Sequence, residues 1–214
     1  MAIYNFFKTH DDFAIGLWLI EEEENFFYDN MTITPEEQIE LQELSKRKKL
    51  EWLASRYLLH ITLSNEDRYP CVKDLHGKPY LLGLDQYISL SHSRNFVATI
   101  FGKAPCGIDI QYHIDKISMI EKKFISQTEM EYIPEVNRLL YLHAFWSAKE
   151  AVYKAYGIKG TSLVNDLKIK PFEISIGGTT FMEVVLNKDN LMKKYHCYHS
   201  IFEDYTMVYA YENI

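Results

Sequence analysis

Cysteine is scarce: Cys71, Cys106 and Cys197 are the only three in 214 residues, odd in number and far apart, with no CxxC pair. That excludes a disulfide-stapled miniprotein and the spacing of a zinc finger, and it points to reduced thiols in a cytoplasmic protein. Positive charge is also in deficit, with 23 Lys plus Arg against 30 Asp plus Glu and a formal net charge of -7. A general affinity for nucleic acid or an anionic membrane is therefore not expected, and any anion site must be local. Long apolar runs are missing as well; none approaches the roughly 20 residues of a membrane span. Residues 1–10 lack the basic start and apolar centre of a signal peptide. There is no low-complexity tract, exact repeat or obvious flexible linker. What remains is a globular composition, 47% hydrophobic and 25% charged, suited to one domain or two small halves around a shared core. A monomeric cytoplasmic protein is expected.

Residues 13–20 are apolar and rich in large side chains, between Asp11 and Asp12 on one side and four glutamates on the other. They read as a buried strand followed by a solvated acidic run at 21–24. Thr34, Pro35 and Glu37 give a helix start in which threonine caps, proline takes the first turn and glutamate closes a capping box. One or two helices should follow to about Leu63. The runs 87–91, 96–101 and 107–111 are β-rich and separated by turn residues, which predicts an antiparallel meander. A helical stretch from Ile117 and a strong helix over 138–156 come next, then strands at 173–176, 180–186, 195–202 and 205–211. Gly177 with Gly178, and Glu203 with Asp204, fit tight hairpin turns. Helices precede strands twice, so the fold class is α+β, with two similar halves, residues 1–112 and 113–214.

In the helix over 138–156, at about 100° per residue, Leu142, Phe145, Trp146, Val152, Tyr153 and Tyr156 form an apolar stripe with Lys149 in its middle. Glu150 and Lys154 stand four apart on the adjoining face. A snorkelling lysine beside a helical ion pair fits this pattern; otherwise a core-facing lysine needs an anion or a partner, such as a charged ligand between helix and sheet. In the strand at 107–111, Asp109 and Gln111 share one face and Ile108 and Ile110 the other, so acid and amide can converge on a ligand, or Asp109 can be an exposed strand residue. Asp109 with Glu150 would supply oxygens suited to Mg²⁺, which takes one or two protein carboxylates, waters and phosphate oxygens. Ser91, His92 and Ser93 end a strand where the pattern turns polar, and Gly77, Lys78 and Pro79 form a rigid basic loop. Lys46, Arg47, Lys48 and Lys49 make a basic run, with Arg56 further along the same helix. Each of these fits a solvated face as well as an anion site. Ser126 with Glu129 fits a plain capping box. His196 and His199 would face opposite sides of a strand, which argues against a shared metal.

In combination these elements resemble the surfactin-type 4'-phosphopantetheinyl transferases. R-x8-R falls at Arg47 and Arg56, G-K-P at 77–79, S-H-S at 91–93, G-I-D-I at 107–110, and W-S-x-K-E-x-x-x-K from Trp146 to Lys154, in that family's order over residues 34–170. The resemblance implies a 4'-phosphopantetheinyl transferase-like fold: two similar halves related by pseudo-twofold symmetry, with coenzyme A in the cleft between them and Mg²⁺ on its pyrophosphate. It implies transfer of the phosphopantetheine arm to a serine of an apo acyl or peptidyl carrier protein, as in a holo-[acyl-carrier-protein] synthase, with release of adenosine 3',5'-bisphosphate. On the same ground Asp109, Gln111 and Glu150 hold the metal, and Lys149 and Lys154 contact phosphate oxygens. Arg47, Lys78, Ser91 and His92 help to bind coenzyme A around its 3'-phosphate. Glu150 is the first choice for the base that takes the serine proton, with Asp109 and Lys154 beside it in the catalytic set, and Glu129 matches an acidic family position. One residue departs from the pattern G-I-D-I-E: Gln111 keeps an oxygen donor but removes a charge, so weaker or water-mediated metal binding is expected. That departure is the one feature favouring a coenzyme A binding or regulatory protein without turnover, and by itself it does not suggest an inactive enzyme, because Asp109 and Glu150 remain and the pyrophosphate supplies charge.

Overall fold

The strand Ala14–Leu19 (β2) has no polar position and is buried on both faces, so it needs cover from two sides. A computed structural model describes residues 3–9, 12–63 and 68–213. Met1, Ala2 and His10 of the amino-terminal stretch, and Asp11 at the border of the first expected strand, lie outside the described residues. β1 (Ile3–Lys8) pairs with β2, and three helices follow: α1 (Glu24–Asn30), α2 (Pro35–Gln42) and α3 (Lys46–Leu63). Then come β3 (Cys71–Lys73), β4 (Pro79–Leu81), β5 (Tyr87–Ser93) and β6 (Phe96–Gly102), which complete a sheet in the order β1-β2-β6-β5-β4-β3. β7 (Cys106–Tyr112), a 3-10 helix (Asp115–Lys123), α4 (Gln127–Met130) and α5 (Arg138–Tyr156) lead to β8 (Leu167–Ile169), β9 (Thr180–Lys188), β10 (Leu191–Phe202) and β11 (Tyr205–Glu212). The second sheet runs β7-β11-β10-β9-β8, and among the described residues the strand pairings of both sheets are antiparallel.

Three apolar clusters separate four layers. Trp18, Phe27, Leu53, Leu58 and Val97 pack the first three helices onto one face of the first sheet. Ile15, Leu17 and Ile100 on its other face meet Ile108, Ile110 and Met207 of the second sheet. Phe145 and Val152 of α5 cover the remaining face against Val184, Cys197 and Val208. The α+β class is as expected, and so is the capping box at Thr34 and Glu37. Each sheet carries one long helix, α3 or α5, but strands precede the helices in both parts.

Four expectations are corrected. β7 does not extend a meander with β5 and β6; it pairs with β11 at the edge of the second sheet, because a half-apolar strand fixes its two faces and not its partner. Residues 173–176 are not a strand. Pro171 interrupts the ladder after β8, and the following amides find side chains instead, Ile174 N donating to Tyr141 Oη and Ser175 N to Thr180 Oγ1. β8 pairs with β9 in their place, and the turn around Gly177 joins no strands. Asp189 and Asn190, both at positive φ, make the hairpin between β9 and β10 that the sequence did not suggest. Glu24 opens α1 rather than ending a solvated run, because Phe26 and Phe27 pack against Trp18 and Tyr57.

Two contacts fix β7. Its odd-numbered amides face β11, and its even-numbered ones face outward as on any edge strand. The outward N–H groups of Ile108, Ile110 and Tyr112 donate to Ser89 Oγ (3.2 Å), Ser91 Oγ (3.2 Å) and Ser93 Oγ (2.9 Å), every second residue of β5. On the other side, a methyl group at Gly107 would collide with the Ala151 carbonyl of α5, so β7 and the helix touch backbone to backbone. Gly107→Ala is expected to cost about 3 kcal/mol or more, since the obstacle is backbone and cannot rotate away, and a urea denaturation curve measures it.

His143 and His199 are fully buried, and burial drives both rings down to a pKa of about 4 from 6.5, with the nearby His113 adding to it. The unfolded chain therefore takes up protons first as pH falls. Stability is full above about 6.5 and is lost as pH drops from there through about 4, by up to about 3 kcal/mol per ring. Unfolding free energies measured across that window should fall more gently in His199→Leu than in the native chain.

Candidate active site

The α5 residues His143, Ser147, Glu150 and Lys154 are spaced i, i+4, i+7 and i+11, so they form one stripe of the helix. That stripe meets Asp109 and Gln111, the two β7 side chains on the helix-facing side. Lys154 Nζ donates to Asp109 Oδ1 at 2.7 Å, Ile108 O at 2.9 Å and Ser91 Oγ at 3.0 Å, and Ser91 Oγ in turn lies 3.1 Å from Asp109 Oδ1. Asp109 is only 7% exposed. Burial, and then the Asp109 charge, hold the Glu150 carboxyl above the usual carboxylate range, while Lys154 pulls it back. Asp109, Glu150, Lys154 and Ser91, all chosen from the sequence, thus gather at one place.

Lys149 does not join them. It is 0% exposed, and its Nζ donates to Phe124 O at 2.6 Å and Glu129 Oε2 at 2.8 Å. Desolvation lowers its pKa to about 8 against the support of Glu129. The anion that a core-facing lysine requires is therefore a carboxylate of the chain and not a phosphate. Glu129, 1% exposed, also closes the capping box of α4 and accepts from Ile169 N at 2.9 Å, which commits it to structure.

Gln111 reaches across to α5. Its Oε1 lies 3.0 Å from His143 Nδ1, and His143 Nε2 accepts from Ile114 N at 3.0 Å. His143 was not singled out in the sequence, although its place two turns before Glu150 on the same stripe would have found it.

The residues expected around coenzyme A divide. Lys78 Nζ donates to the Lys154 and Ala155 carbonyls, capping α5 where Gly157 ends it in a left-handed turn at φ 75°. An ammonium has three donors, so one of Lys78 is left over. Arg47 has a side chain 69% exposed and pairs with Glu51 at 3.0 Å, and Glu51 also takes His92 Nε2 at 3.2 Å. Arg56, nine residues on, is 7% exposed and stacks over Trp52 at 4.5 Å. Among the described residues it hydrogen-bonds to Ser55 Oγ, its Nε is unsatisfied and it makes no ion pair at contact distance, although its charge reaches Glu37. With Lys48, Lys73, Ser91 and His92, and with the carboxylates Glu40 and Glu51 that pair with Lys73 and His92, it lines a cleft, and a neighbouring cleft is lined by His76, Lys78, Ser89 and Lys154. A buried guanidinium with no ion pair among the described residues is the costlier group to leave without an anion, whereas Arg47, expected to contact coenzyme A, lies mostly exposed beside Glu51. His196 lies against Phe181 and Tyr211 while His199 is buried; the two face opposite ways, as expected.

Among the described residues no group of three or more His, Cys, Asp or Glu side chains is arranged to hold a metal ion. Two carboxylates remain, Asp109 and Glu150, and the Lys154 ammonium sits on a set of oxygens there as a cation would. That donor set fits Mg²⁺, which is commonly held by one or two carboxylates with water and phosphate completing its shell.

Two antiparallel sheets joined at a seam of serines, with an acid and lysine cluster and a cleft of mixed charge along it, make an α+β protein. Residues 105–210, from just before β7 into β11, match the 4'-phosphopantetheinyl transferase superfamily. It is similar to the 4'-phosphopantetheinyl transferase Sfp of Bacillus subtilis (strain 168), 35% identical over 95 residues, 42% of each chain. The matched segment thus spans less than half the length of that relative.

Lys149 and Lys154 should separate cleanly by substitution. Lys149→Ala leaves the Glu129 carboxylate buried and unpaired, and a loss of about 3 to 5 kcal/mol in a urea titration is expected. Lys154→Ala, at a partly exposed pair, should cost no more than about 2 kcal/mol.

Proposed function

We propose that the chain transfers the 4'-phosphopantetheine arm of coenzyme A to a serine of an apo acyl or peptidyl carrier protein, in the manner of a holo-[acyl-carrier-protein] synthase. The observation that carries this reading is the Lys154, Asp109 and Ser91 cluster beside a Glu150 of raised pKa, at the seam where the two clefts open. Arg56 and Lys48 supply charge for the 3'-phosphate of the nucleotide end, beside Lys73 and His92, which are paired with Glu40 and Glu51, and Lys154 with the spare donor of Lys78 faces the pyrophosphate. The carrier serine oxygen attacks the phosphorus on the pantetheine side. The new P–O bond forms as the bridging P–O bond breaks, and adenosine 3',5'-bisphosphate leaves with the electron pair. The serine proton passes to Glu150, the carboxylate of the two that Lys154 leaves without an ion pair among the described residues. Asp109 and Glu150 would hold Mg²⁺, which when bound neutralises charge on the pyrophosphate. The protein would do this as a cytoplasmic monomer. With both carboxylates and Lys154 in place, Gln111 alone does not favour loss of turnover.

Incubation with coenzyme A, Mg²⁺ and an apo carrier, followed by weighing the carrier, tests the proposal. A mass gain equal to the phosphopantetheine arm, dependent on coenzyme A and Mg²⁺, is expected. Asp109→Asn, Glu150→Gln and Lys154→Ala should each slow single-turnover transfer about a hundredfold or more, the usual loss for one preorganised charge contact. No gain with any acyl or peptidyl carrier, or undiminished rates in all three variants, would overturn it.

A further inference from the structure

We propose that His143 locks Gln111 as a hydrogen-bond donor, so that the cation site of this chain has two protein ligands, Asp109 and Glu150, and position 111 is not a third. The inference rests on the reading of those two carboxylates as the cation site in the proposed transfer. It begins at a backbone amide. Ile114 N donates to His143 Nε2 at 3.0 Å, so that nitrogen presents a lone pair and carries no proton. In the neutral ring the proton then sits on Nδ1. Nδ1 therefore donates across 3.0 Å to Gln111, and the atom that receives it must be the carbonyl oxygen, Oε1. Turning the amide to offer Oε1 to a metal would set its NH₂ group against Nδ1–H, donor against donor. The ring is fully buried, so no solvent relieves that clash.

The lock is built from surrounding structure. The 3-10 helix that starts at Asp115 holds the Ile114 amide in place, and α5 holds the ring. His113 lies beside it with ring centres 4.8 Å apart and is tied through Nε2 to Thr206 Oγ1 at 2.9 Å. Gln111 shares its face of β7 with Asp109, and its NH₂ group is left on the side away from His143, where it can donate to water or a phosphate oxygen and cannot ligate a cation. Sequence alone suggests a ligand that has merely lost its charge. The geometry makes His143 a positioning residue that removes the oxygen as well.

Two measurements test this without any transfer assay. Long-range ¹H–¹⁵N NMR of the folded chain at neutral pH should show His143 protonated on Nδ1 only; a ring protonated on Nε2 overturns the lock whatever the metal does. Binding of Mn²⁺ alone, followed by its paramagnetic resonance signal, should be unchanged within about twofold in Gln111→Leu and at least tenfold tighter in Gln111→Glu. A fivefold or greater loss in Gln111→Leu would make Gln111 a ligand, and equal binding by the native chain and Gln111→Glu would place position 111 outside the site; either overturns the proposal. A native tautomer on Nδ1 together with absent carrier modification would instead sink the transferase reading and leave the lock standing.

Discussion

Three backbone amides on the free edge of β7 hold the rest of the structure in register. An edge strand in the interior cannot leave its outward N–H groups bare, since each unsatisfied buried donor costs about 1 to 3 kcal/mol. Here no neighbouring strand lies in plane to take them. Ser89, Ser91 and Ser93 do so instead, from a strand of the other sheet. The spacing is the argument: serines two apart on β5 face one way, the outward amides of β7 recur with the same period, and a slip by one residue would break all three bonds. Asp109 and Gln111 are aimed at α5 because their neighbours are held in this way. The middle serine reaches further, since Ser91 Oγ also touches Asp109 and Lys154. The joint between the sheets and the candidate site therefore share an atom.

α5 answers from the other side, through a contact that only glycine allows. Without a side chain at Gly107 the helix backbone rests on the strand, and this close approach lets a helix residue such as Lys154 reach a strand carbonyl at Ile108. The rotation of the helix is set by Lys149. Its buried pair with Glu129 links α5 to the cap of α4, and the other oxygen of that carboxylate takes the Ile169 amide at β8. A buried ion pair of this kind contributes little net stability. It does fix which face of α5 turns to the core, and so which face turns Glu150 and Lys154 toward β7.

Much of this was legible in the sequence, for reasons that also explain the failures. α5, the capping box at Thr34 and Glu37, and the two-sided strand β2 are written in local periodicity and cap chemistry, and the structure has them. The site residues on β7 and on the outer stripe of α5 were legible because alternation in a strand and the i, i+4 rule in a helix are also local. Partners are not. Nothing near Lys149 says that Glu129 will be its anion, and nothing in G-I-D-I says that β11 rather than β6 will pair with it. Arg47 and Arg56 show the same limit: two arginines on one helix are alike in sequence, and only burial distinguishes the exposed one tied to Glu51 from the one enclosed over Trp52.

Charge bookkeeping at the seam explains why this place suits a cation-assisted reaction. Asp109 and Glu150 bring two negative charges to a partly dry site, and Lys154 returns one positive charge, bound to three oxygens at once. The balance is short by one. Glu150 registers the shortage: burial first, and then the field of Asp109, make its charged form unfavourable in spite of Lys154. A chain of net charge -7 cannot supply that cation from its general surface, and Gln111 adds neither charge nor, with His143 behind it, an oxygen. The site therefore has its strongest attraction for a cation that arrives with a ligand of its own, and the cleft of Arg56, Lys48 and Lys73 alongside is where the anionic part of such a ligand is best received.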